Sequence, residues 1–164
     1  MWIRELGASF AYAWRGILAA VQRERNFRIH LTAVLYVCAA GLLAELEGIW
    51  WAALFLCFGL VLFAELINSA LERICDAVTK DRHPMIKNAK DMAAGAVLVS
   101  AIAATGIAAL VFLRAEARET IWQNLRATPF VPIALALSVP LAVLWIRGRR
   151  AWKKQDENKE YYFR

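Results

Sequence analysis

Several chemistries leave no trace in this chain. Its 3 cysteines, Cys38, Cys57 and Cys75, show no CxxC spacing. They argue for no redox motif and no oxidising compartment, and they read as small apolar packing residues. No GxxxxGK[ST] run occurs, which excludes a P-loop enzyme, and no Gly-rich loop is paired with a kinase-type catalytic loop. There is no internal repeat and no low-complexity segment. The N-terminus carries Arg4, Glu5 and Arg15 rather than a short apolar core with a cleavage site, so no signal peptide is expected. Charge is missing altogether from two long runs, residues 92–113 and 129–146. A proton or ion path through those runs would have no second half, which argues against transport.

What is present is apolar. The chain has 164 residues and is 60% hydrophobic, against about 45–50% in a soluble domain. It reads as an all-α integral membrane protein. The net charge of +6 would suggest nucleic acid in a soluble protein. Here Lys and Arg cluster beside apolar runs, so they read as topology signals and contacts to anionic lipid, with no nucleic-acid partner. Trp50, Trp51, Trp122 and Trp145 lie near the ends of predicted spans, where interfacial belts form.

Periodicity organises the rest. Phe10, Trp14, Ile17, Leu18 and Val21 recur at helical spacing. With Arg15, Arg23, Arg25 and Arg28 nearby, residues 5–28 read as an amphipathic surface helix. Three core spans follow at 29–43, 49–71 and 92–113, the first continuing as helix from the surface segment. Residues 79–91 read as a polar loop punctuated by Pro84, and 114–128 as a charged loop. A fourth span over 129–146 leads into a basic cytoplasmic tail. Residues 1–113 form one expected unit, and 114–164 an addition to it. Counting Lys and Arg puts both termini in the cytoplasm: five Arg precede residue 29, and the 44–48 turn has none.

One stripe breaks the apolar pattern. The run from Ile49 to Leu71 contains Glu65, and Ser69, Glu72 and Asp76 follow on the same face. At ~100° per residue the four fall within roughly 60° of one another, with Asn68 at the edge. An ionisable residue in a span is expensive and marks a functional site by default. Three stacked carboxylates repel, and a divalent cation would neutralise them. The topology brings Glu24 and Asn26, then Lys90 and Asp91, to the same membrane depth as Glu65. These groups suit phosphoryl transfer, which needs metal, cations and a proton acceptor. Glu24 and Glu72 are candidates to hold Mg²⁺ against ATP phosphates. Lys90 is a candidate phosphate contact and Glu65 a candidate general base, oriented by Asn68 and Asp91. The rival reading is a non-enzymatic membrane scaffold or small transporter. Arg28 reads as a positive-inside charge.

The segments AELINSALERICD (64–76), AKDMAAGAVL (89–98), ERNFRIH (24–30) and FAYAWRG (10–16) together resemble the prokaryotic diacylglycerol kinase family. The similarity covers about residues 7–113 and is nearest to the Gram-positive branch of undecaprenol kinases. The resemblance implies a homotrimer in the bacterial inner membrane, with active sites built from more than one subunit. It implies an ATP- and Mg²⁺-dependent lipid kinase acting on a membrane lipid alcohol, undecaprenol first and diacylglycerol as the alternative. Carried over by motif, the base falls on Glu65 and the metal ligands on Glu24 and Glu72. Asn68, Asp76, Lys90 and Asp91 match further site positions, and Arg15 a cation near the nucleotide. The fourth span and tail have no counterpart in short family members.

Overall fold

The computed structural model describes residues 2–78 and 83–148; the first four residues of the predicted polar loop, 79–82, and the predicted basic tail from residue 149 lie outside the described residues. All regular elements among the described residues are helices: α1 (Trp2–Arg23), α2 (Arg25–Leu43), α3 (Gly48–Val78), α4 (Pro84–Phe112), α5 (Ala115–Ala127) and α6 (Phe130–Arg147). Helices α2, α3, α4 and α6 are long and apolar enough to cross a membrane, as the hydropathy pattern predicts. At 1.5 Å per residue α3 and α4 reach about 45 Å, well beyond a ~30 Å hydrocarbon core. Their polar ends therefore leave the apolar layer.

Helix α1 is amphipathic, with Phe10, Trp14, Ile17 and Leu18 exposed along it and Ala20 buried near its end. The expected surface helix over 5–28 runs on without interruption into the first span; the structure breaks it at Glu24. That residue has extended backbone (φ −96°, ψ 116°) and caps the start of α2. The break is one residue wide, since Glu24 N–H still donates to the Ala20 carbonyl at 2.9 Å and Arg28 N–H donates to the Glu24 carbonyl at 3.3 Å. Periodicity alone does not reveal it, because both sides keep a helical pattern.

Two predicted loops are corrected. Residues 84–91 are the first turns of α4, with Pro84 at the helix start, where its fixed φ and missing N–H are harmless. Residues 115–127 form α5, with Glu116 in its first turn and Arg126 in its last. Both charges complement the helix dipole. The polar composition that suggested a loop is that of a short amphipathic helix with Ala117 buried.

The most extensive pairing is between α3 and α4; α2 lies against α3, and α6 against α2. Leu54 and Val111 are the large side chains buried most completely. At the end of the bundle holding residues 44–47, α5 clamps the α2–α3 turn. Asn124 Nδ2 donates to the Leu43 carbonyl at 2.9 Å and to Glu45 Oε1 at 3.0 Å. The Arg114 guanidinium lies 4.6 Å from the ring centre of Trp50. Close approach of α2 and α3 there depends on Gly41. A Cβ at that position would stand 2.7 Å from Trp51 Cη2 and 3.2 Å from Leu46 Cδ1. Gly41→Ala is expected to destabilise the folded protein by about 1–3 kcal/mol through overpacking. Thermal unfolding in detergent checks this, and an unchanged midpoint would show that the helices part freely at Gly41.

Candidate functional site

The opposite end of the bundle gathers the polar residues. Glu65 lies 17 residues into α3, about 25 Å along its axis, and is only 2% exposed. Asn68 and Ser69 on the next turn are also buried. Further along, Glu72 is half-buried and Asp76 is exposed. One helix face thus passes from a dry acid to a wet one. Glu65 Oε2 and Asn68 Oδ1 are both buried without a hydrogen-bond partner among the described residues.

Three elements converge on this face. The α1–α2 joint brings Glu24, whose Oε1 accepts a 2.8 Å hydrogen bond from Arg73 Nη2 of α3. The charges of Glu24 and Glu72 both act on Glu65. The first turns of α4 bring Lys90, which donates to Asp76 Oδ1 and also feels Glu72. Glu24, Glu65, Asn68, Glu72, Asp76 and Lys90 therefore share one region. Two candidates stand differently. Asp91 is exposed and faces Lys87 across one helical turn at 3.8 Å, while Arg15 is exposed on α1 with its guanidinium 5.1 Å from the Tyr12 ring centre.

Sequence reading missed Arg73 and undervalued Arg28. Arg73 sits ~40° beyond the edge of the acidic stripe by helical spacing, and its pairing with Glu24 is set by the joint, which no local pattern shows. Arg28 is buried among helix ends rather than displayed as a topology charge. Its role depends on the break at Glu24 and on the end of α6, neither of which a local pattern shows.

Among the described residues four carboxylates, Glu24, Glu65, Glu72 and Asp76, stand here with Arg73 and Lys90, a donor set that a bound cation fits. Among the described residues no three His, Cys, Asp or Glu gather as a closed metal cluster. Mg²⁺ carried by a nucleotide keeps waters and phosphate oxygens and needs only one or two protein carboxylates. Glu24 and Glu72 are the two carboxylates here that would hold it. The two orphaned oxygens of Glu65 and Asn68 add acceptors that call for a donor from outside the chain.

Comparisons with known proteins give the family. The family model for prokaryotic diacylglycerol kinase matches residues 11–112. An undecaprenol kinase of Bacillus subtilis (strain 168) is 44% identical over 105 residues, 64% of this chain and 85% of that protein. A diacylglycerol kinase of Synechocystis is 51% identical over 98 residues, 58% of this chain but 55% of that longer protein. The diacylglycerol kinase of Escherichia coli K12 is 33% identical over 93 residues, 57% of this chain and 76% of that protein. These relatives are kinases by name, and they make this chain a lipid kinase. The chain belongs to the prokaryotic diacylglycerol kinase family, and membership of a kinase family implies use of ATP.

A buried acid without a partner lowers stability in exchange for function. Glu65→Leu removes the unmatched oxygen while keeping an apolar side chain of similar reach. It is expected to stabilise the nucleotide-free protein by about 1–3 kcal/mol. Thermal unfolding of the two proteins side by side tests this; a lower midpoint for the variant would mean that Glu65 is already satisfied.

Proposed function

We propose that this protein transfers the γ-phosphate of ATP to the hydroxyl of undecaprenol at the cytoplasmic face of a bacterial inner membrane. The single observation that carries the reading is the pair of buried, unmatched oxygens, Glu65 Oε2 and Asn68 Oδ1, beside a cluster with excess negative charge. The lipid hydroxyl, with one proton to give, is the donor that Glu65 Oε2 lacks. Glu65 accepts its proton as the hydroxyl oxygen attacks the γ-phosphorus. The new O–P bond forms while the bond to the β-phosphate oxygen breaks, and ADP departs with that electron pair.

Asn68 holds the hydroxyl in line, whereas Asp91, exposed and facing Lys87, takes no part at Glu65. Glu24 and Glu72 would hold Mg²⁺, which would supply positive charge to offset that of the phosphates. Lys90 and Arg15 contact phosphates, and Asp76 keeps Lys90 in place. The excess of Lys and Arg beside the site supports cytoplasmic termini. The apolar faces that α3 and α4 leave exposed support packing against sister protomers in a homotrimer as well as against lipid.

Undecaprenol as acceptor is supported by the 44% identity to the Bacillus subtilis undecaprenol kinase over most of that protein's length. Diacylglycerol is the second reading, favoured by the 51% identity to the Synechocystis diacylglycerol kinase. Radiolabelled phosphate transfer from ATP to both lipids decides between them. Undecaprenol is expected to be the better acceptor, and a strong preference for diacylglycerol would reverse the assignment. Glu65→Gln is expected to cut transfer by at least about 10²-fold while the protein still inserts; full activity would remove Glu65 as base. Glu72→Ala is expected to raise the Mg²⁺ concentration needed for half-maximal rate. An unaltered Mg²⁺ dependence would count against its role as ligand.

A further inference from the structure

Arg28 is 8% exposed and faces no carboxylate in any hydrogen bond described for it. A buried guanidinium must have its donors satisfied. Here they are satisfied by helix ends. Nη1 donates to the carbonyls of Val21 at 3.1 Å and Gln22 at 2.9 Å, in the last turn of α1. Nε and Nη2 both donate to the carbonyl of Ile146, at 3.3 and 3.1 Å, in the last turn of α6. Carbonyls in a last turn have no intrahelical partner, and they carry the negative end of the helix dipole. One side chain therefore caps two helices.

The α6 side of this clamp is shaped to receive it. Gly148, which ends α6, has φ +63° and ψ 161°, a combination open essentially to glycine alone. A Cβ there would lie 2.9 Å from Arg28 Nη2. Two turns deeper, Tyr36 Oη and Ser138 Oγ share a 2.8 Å hydrogen bond between α2 and α6. The contact is thus a seam and not a single touch. Residues 138, 146 and 148 all lie beyond residue 112, where the family match ends.

We propose that Arg28 is a positioning residue: it ties the α1–α2 joint to the end of the fourth span, so that α6 fixes where Glu24 stands. The inference rests on the lipid kinase reading, in which Glu24 lies beside the nucleotide. Glu24 is the single extended residue between the two helices. A joint locked on both sides keeps its carboxylate against Arg73 and near Glu65. Loosening the clamp lets Glu24 wander without touching any group that meets substrate.

The test uses the full chain in lipid nanodiscs, with Arg28→Gln, Arg28→Lys, Gly148→Ala and the double variant Arg28→Gln/Gly148→Ala. ATP and lipid alcohol are varied separately, and hydrogen exchange is followed at amides 24–28. Gly148→Ala is expected to raise KM for ATP about fivefold, with KM for the lipid unchanged, and to speed exchange at the joint. Arg28→Gln should do the same. The double variant should be no worse than the more affected single one, because both act on one contact. Arg28→Lys should recover only part of the loss, since an ammonium cannot fork between two helix ends. Wild-type KM and wild-type exchange in Gly148→Ala would overturn the proposal. So would a loss of active protein with KM for ATP unchanged, which is what a purely structural clamp gives. If Arg28→Gln fails to insert, Gly148→Ala decides. If the unmodified protein transfers no phosphate at all, the kinase reading fails on its own, and exchange in Gly148→Ala still decides whether α6 holds the joint.

Discussion

Glu65 keeps one carboxylate oxygen out of water with no donor to meet it, next to an amide oxygen in the same condition. An unmatched buried polar atom costs about 1–3 kcal/mol, and much of the architecture serves to make that arrangement possible. Helix α3 is long enough to start in hydrocarbon and finish in water, so its polar face carries Glu65 inside and Asp76, exposed, near the end. Helix α4 runs alongside and starts early enough to bring Lys90 to Asp76. The break before α2 turns Glu24 toward Arg73. Remove the buried acid and none of these placements has a chemical purpose.

The charges around it are arranged by distance from water. Ion pairs occur where side chains are partly exposed: Glu24 with Arg73, and Asp76 with Lys90. Exposed pairs of this kind add little stability, so their value lies in fixing side-chain positions. Glu65, the driest acid, is the one left without a hydrogen bond at Oε2. The two tethered acids, Glu24 and Asp76, flank Glu65 and Glu72 along this face. Buried Arg28 follows the opposite rule: each hydrogen bond described for it goes to a carbonyl, and it holds together helix ends.

Much of this was readable before any coordinates. The stripe of Glu65, Ser69, Glu72 and Asp76 follows from a 3.6-residue period, and the helix does persist to Val78 as its pattern requires. The four apolar helices were legible because a membrane span is written in composition and length. Lys90 could be placed near the acids because topology sets its depth. The missed features depend on contacts between distant segments. Nothing local marks Glu24 as a helix break, because the residues on either side keep the same period. The helical start of α4 was hidden by Pro84, which reads as a loop signal yet suits a first helical turn. Helix α5 is held by Asn124 against the α2–α3 turn, a partner 81 residues away. The partner of Arg28 on α6 lies farther still, 118 residues along the chain.

The state of the Glu65 carboxyl can be watched directly by infrared difference spectroscopy, with its band assigned by its disappearance in a Glu65→Gln sample. Adding the lipid alcohol to protein loaded with Mg²⁺ and a non-hydrolysable ATP analogue should shift that band, because Glu65 Oε2 gains a hydroxyl donor. The methyl ether of the same lipid, which has no proton to give, should leave it where it was. A band that responds equally to alcohol and ether, or to neither, would contradict a buried acid waiting for the lipid hydroxyl.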